Sequence, residues 1–151
     1  MNIYWREIRA NLAALLAWCA GMVFMIGAGM GKYAGMASAG QSINDFMSSL
    51  PAAVQALFGS DRLDLSKASG FYGVLYLYLL MMAAIHASLL GANILAKEER
   101  DRTSEFLFVK PVSRDKVIAV KLQAALTNVV VLNVVTYGAS IALLATFGTG
   151  E

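Results

Sequence analysis

The chain has 151 residues, 58% hydrophobic and 15% charged, with a formal net charge of +2 and a mean hydropathy of +0.61. Soluble domains carry roughly 25% charged residues, so this balance argues against a soluble globular protein, and the small net charge argues against nucleic-acid binding. Cys19 is the single cysteine; it excludes an internal disulfide and leaves the redox compartment open.

The charges are clustered. None occurs from Ala10 to Gly31, from Ala68 to Ala96 or from Leu122 to Gly150, runs of 22, 29 and 29 residues counted inclusively. About 20 apolar residues at ~1.5 Å each cross a ~30 Å hydrocarbon core. All three runs qualify. Lipid supplies no partner for open backbone groups, and the alternation of barrel strands is absent, so the spans are expected to be helices. The reading is an all-α membrane protein with a single transmembrane domain, spanning at about 11–31, 70–96 and 122–149. A secretory signal is the competing reading of the first run, with Arg6 and Arg9 as its basic region and Ala37-Ser38-Ala39 as a cleavage site. A signal core is only about 7–15 residues long. This run is longer, and the site lies well past its end, so a retained span is preferred.

Basic residues flank the cytoplasmic ends of spans. Arg6 and Arg9 precede the first span, and Lys97, Arg100, Arg102, Lys110, Arg114, Lys116 and Lys121 lie between the second and third. The segment between the first two spans holds only Lys32, Arg62 and Lys67. The N-terminus and residues 97–121 are therefore expected inside, in a multi-pass protein of the cell membrane. Three spans ending at Glu151 suggest part of something larger, either a fragment or a chain that assembles with others.

In chain order, Ile3, Tyr4 and Ile8 can form one apolar side of a short interfacial helix, with Trp5 as a headgroup anchor. An ordinary basic flank of the first span is the alternative. Gly27, Gly31 and Gly35 recur every four residues in and just past the first span, a spacing that favours close helix contact over an unwound outer end. In the outer segment, Phe46, Leu50, Val54, Leu57 and Phe58 follow helical spacing. Pro51 can start a helix there, and Gly59-Ser60-Asp61 can end it. One or two short surface helices that cap the spans are expected.

The second span opens with the aromatic belt Phe71, Tyr72, Tyr76 and Tyr78. His86 lies near its middle. An ionisable residue at that depth raises a functional question, but with no acidic partner in the spans, a neutral ring hydrogen-bonded to a neighbouring helix is the preferred reading. In the third span Asn133, Thr136, Tyr137 and Ser140 fall at i, i+3, i+4 and i+7. They are expected to face inward, toward another helix or a hydrated path.

Catalytic patterns are missing. There is no phosphate loop, no H-E-x-x-H, no C-x-x-C and no serine nucleophile with a base; Gly27-x-Gly29 lacks the third glycine of a dinucleotide loop. No metal site and no enzyme activity are expected of this chain.

The segment from Lys97 to Lys121 remains. Glu98 to Val109 can form a helix with acidic residues early, and Pro111 breaks it. Ser113 can cap a second helix that carries Asp115 in its first turn and enters the third span. The run Glu98-Glu99-Arg100, Thr103-Ser104-Glu105-Phe106-Leu107-Phe108, Lys110-Pro111-Val112-Ser113-Arg114 and then Lys121 resembles the cytoplasmic loop of type-2 ABC (ATP-binding cassette) transporter permeases. Arg102 stands where that family usually has glycine before the threonine. The resemblance covers nearly the whole chain and corresponds to the N-terminal half of a usual six-span permease.

That resemblance implies a transport subunit, an exporter by expectation. The loop would hold a coupling-type helix docked on an ATP-binding subunit, which supplies ATP and Mg; this chain would bind no cofactor itself. The docking set would be Glu98, Glu99, Arg100, Arg102, Glu105, Phe106, Leu107, Phe108, Pro111 and Arg114, with the two phenylalanines and Leu107 in an apolar groove and the charges at its rim. A second permease chain or a second copy would be a further partner. A non-transporting scaffold that recruits a cytosolic protein is the alternative, and a small channel-forming protein a weaker one.

Overall fold

The computed structural model describes residues 3–38, 45, 48–58, 63–100 and 114–147, of which 57–58, 94–95, 97–100 and 114–115 are described by backbone alone. Four helices are described: α1 (Ile3–Ser38), α2 (Ala52–Phe58), α3 (Ala68–Arg100) and α4 (Arg114–Phe147). Among the described residues there is no strand.

The long helices α1, α3 and α4 have 36, 33 and 34 residues. At ~1.5 Å per residue each extends about 50 Å, well beyond a ~30 Å hydrocarbon core. Ile3–Ser38, Ala68–Asn93 and Lys116–Phe147 are long and apolar enough to cross a membrane. The protein is thus an all-α, multi-pass membrane protein with three transmembrane helices, as the charge-free runs imply.

The N-terminal residues do not form a separate interfacial helix. Ile3 to Arg9 continue into α1 without interruption. From Ile3 to Ala20 there is neither proline nor glycine, and each further residue of an established helix adds a hydrogen bond at little cost. Trp5 stays 59% exposed, in the position expected of a headgroup anchor.

Pro51 acts one residue ahead of α2. Its carbonyl accepts from the Val54 and Gln55 amides at 2.8 and 3.1 Å. Gln55 Nε2 reaches back to the Leu50 carbonyl at 2.8 Å. Phe46 and Gly59-Ser60-Asp61 lie outside the described residues.

The chain divides into two compact units, Met1–Ala20 with Met82–Val134, and Gly21–Met81 with Val135–Glu151. The second has an apolar interior. Met22, Ile26, Met30 and Tyr33 line one side of α1 and are buried, as are Leu75 and Leu79 of α3. α1 and α3 approach closely at Gly29, where an added Cβ would lie 2.8 Å from a Leu75 methyl. Gly27, Gly31 and Gly35 have nothing within 4 Å of that position. The four-residue stripe is therefore not the contact surface within this unit; Gly29, on the same side as Met22 and Met30, is.

The approach to α3 is tightly built. Asp64 Oδ1 accepts from the Ser66 amide and hydroxyl at 3.1 and 2.9 Å, and the Asp64 carbonyl accepts from the Lys67 amide at 3.1 Å. Tyr33 donates to the Ser66 carbonyl at 2.7 Å and stacks on Phe71, with centroids 5.4 Å apart. Leu65 is buried. A Cβ on Gly70 would collide with the Asp64 carbonyl.

Candidate functional site

Among the described residues, four of the five buried polar side chains, Glu7, His86, Lys121 and Asn128, lie in the first unit. On α4, Val117, Lys121, Ala124, Asn128 and Leu132 are all buried. They fall at i, i+4, i+7, i+11 and i+15, one line along a helix of 3.6 residues per turn. That line carries a lysine and an asparagine inward. Glu7 of α1 and His86 of α3 are buried in the same unit.

Several of these groups keep unused hydrogen-bonding capacity. Arg6 Nη2 is 3.5 Å from Glu7 Oε1, while Glu7 Oε2 has no partner. Asn128 Nδ2 donates to the Ala124 carbonyl at 2.9 Å, while its Oδ1 has none. His86 makes no hydrogen bond through Nε2. In place of the expected bond to a neighbouring helix, its ring packs on Trp18, centroids 5.2 Å apart at 52°. A buried polar atom without a partner costs roughly 1–3 kcal/mol, and such atoms in native proteins call for a functional account. Among the described residues no group of three or more metal-ligating side chains is assembled.

Asn128→Leu is accordingly expected to raise the unfolding free energy by about 1 kcal/mol, because a near-isosteric apolar side chain removes the unsatisfied oxygen. Chemical unfolding in mild detergent measures it. A loss of stability instead would mean that Oδ1 finds a partner in the membrane.

The polar face expected on the third span is split. Ser140 is buried, whereas Asn133 is exposed and Tyr137 is 69% exposed. Each four-residue step along a helix advances by about 40°. From Leu132, Thr136 and Ser140 lie about 40° and 80° around the helix, and Asn133 and Tyr137 about 100° and 140°. Ser140 joins α4 to α3: Tyr72 donates to its Oγ at 2.6 Å, and that hydroxyl donates to the Thr136 carbonyl at 2.6 Å. Asn133 Nδ2 donates to the Val129 carbonyl at 2.8 Å.

Glu7, Lys121 and Asn128 are the interior groups that the sequence reading did not single out as a site. Spacing puts Lys121 and Asn128 on one line with Val117, Ala124 and Leu132, but only the packing identifies that line as the buried one. Glu7 carries no such signal, being one charge in a charged segment.

For the docking set, Glu98, Glu99 and Arg100 lie in the last described turn of α3. They continue the helix of the second span rather than opening a new one. Arg114 opens α4, immediately after the capping position expected at Ser113. Arg102, Glu105, Phe106, Leu107, Phe108, Pro111 and Ser113 lie outside the described residues.

No curated protein and no solved structure matches the chain. A family model described as "ABC-2 family transporter protein" matches residues 1–150, a span that takes in all three membrane helices, the polar interior of the first unit and the charged segment between α3 and α4. The chain therefore belongs to the ABC-2 transporter family, whose members are membrane transport components.

Proposed function

We propose that this chain is the permease subunit of an ATP-binding cassette exporter in the cell membrane, with its N-terminus in the cytoplasm. The family match across residues 1–150 carries the reading. The concentration of seven basic residues between Lys97 and Lys121 supports the orientation. ATP and Mg are bound by a partner subunit, and the segment 98–114 docks on it. Movement of that segment is transmitted through α3 and α4, the helices it connects, to the polar groups of the first unit.

A second permease chain, or a second copy, completes the pathway. Asn133 and Tyr137 favour this, since both are exposed on a membrane-spanning helix and lipid serves hydrogen-bonding side chains poorly.

The test is co-expression of the chain with its cognate ATP-binding subunit. Co-purification, together with ATP-dependent substrate movement in inside-out vesicles away from the ATP side, is the expected result. A chain that purifies without the ATPase under all mild-detergent conditions would instead favour the scaffold reading.

A further inference from the structure

The first unit also carries an open groove of about 430 Å³, lined by Tyr4 of α1 and by Val120, Gln123 and Thr127 of α4. Thr127 Oγ1 donates to the Gln123 carbonyl at 2.9 Å. Its hydrogen is thus committed, so the 3.0 Å contact between Tyr4 and Thr127 is a bond donated by the phenol. This pins the start of α1 against α4 and forms the back of the groove, while the Gln123 side chain is exposed at its side.

The face of α4 that contains the groove has a graded chemistry. Lys116, Val120, Gln123 and Thr127 fall at i, i+4, i+7 and i+11, one side of a helix. Lys116 is exposed at the N-terminal end of this line. Past Thr127 the same side continues with Val131 and Val134, which are 39% and 63% exposed. The order along the helix is ammonium, carboxamide, hydroxyls, then open apolar surface. Lys116 to Gln123 is about 10 Å along the axis.

We infer that this face binds one anionic phospholipid, from the leaflet at the N-terminal end of α1. Its phosphate accepts from the Lys116 ammonium and the Gln123 carboxamide. Its ester region lies over the Tyr4–Thr127 bond, and an acyl chain follows Val131 and Val134. Charge complementarity selects the headgroup, and the exposed valines select a lipid over a soluble phosphate. The bound lipid acts as a wedge that holds the start of α1 on α4, and it is not the transported substrate. This assignment does not depend on the exporter reading.

Native mass spectrometry of the full chain in mild detergent tests it, with phosphatidylglycerol, phosphatidylcholine and glycerol 3-phosphate titrated separately. One phosphatidylglycerol is expected to be retained per chain, at least fivefold tighter than phosphatidylcholine, as expected for a single basic contact near a membrane surface. Lys116→Gln combined with Gln123→Leu is expected to erase that preference, and Lys116→Arg to keep it, with far-UV circular dichroism checking the fold. Equal binding of the two lipids by the unaltered chain overturns the inference, whatever the variants do. So does glycerol 3-phosphate binding as tightly as phosphatidylglycerol, or an undiminished preference in the folded double variant.

Discussion

Gly70→Ala is expected to destabilise the protein by about 3 kcal/mol, the upper part of the range for forcing atoms into a filled site. The obstacle is backbone: the new methyl would meet the carbonyl of Asp64, and a peptide group cannot swing aside as a side-chain tip can. Relief requires residues 63–67 to move. They are held by the Tyr33 bond to the Ser66 carbonyl, by the two bonds to Asp64 Oδ1 and by buried Leu65. Gly138→Ala is the matched control. Nothing lies within 4 Å of its added Cβ, so the helix-propensity gain of up to about 1 kcal/mol is kept. The two alanines should therefore shift chemical unfolding in detergent in opposite directions. Equal stability of Gly70→Ala and the parent chain would refute the close packing of this entry to α3.

Phe106→Asp with Phe108→Asp is expected to abolish co-purification with the ATP-binding subunit while leaving membrane insertion intact. Aromatic anchors at interface centres contribute about 2 kcal/mol or more each. At 1.4 kcal/mol per tenfold, losing two lowers affinity on the order of a hundred- to a thousand-fold, and a carboxylate placed in an apolar groove adds a desolvation cost. Both positions lie outside the three charge-free runs, so the spans should insert as before. A double variant that still captures the ATPase would refute the assignment of Phe106 and Phe108 to a docking surface.

The polar residues of α4 show where sequence periodicity is informative and where it misleads. Asn133, Thr136, Tyr137 and Ser140 do share a face by spacing, yet only part of that face is covered. Spacing reports which residues lie together on a helix. It does not report which side neighbouring helices cover, because in a membrane the uncovered side is as apolar as the interior. The amphipathic contrast that orients a soluble helix is missing. Lys121 and Asn128 likewise share a line with Val117, Ala124 and Leu132 by spacing, but that this line is the buried one is decided by packing. The same limit explains the glycines. Gly27, Gly31 and Gly35 form the regular stripe, but Gly29 makes the close approach because the covered side of α1 passes through Met22, Ile26 and Met30.

The helical class, the three spans and the resemblance to type-2 permeases follow from the amino-acid order. A long run without charge has few options in lipid, and the loop pattern is local in the chain. Long-range contacts had to come from the folded molecule: Tyr4 on Thr127, Trp18 on His86, Tyr72 on Ser140, and the unpartnered oxygens of Glu7 and Asn128. Each joins helices distant in sequence or depends on such packing, and which faces meet is settled by side-chain fit between helices. The charge-free runs that announce the spans are nearly uniform in hydropathy, and so carry little trace of that fit.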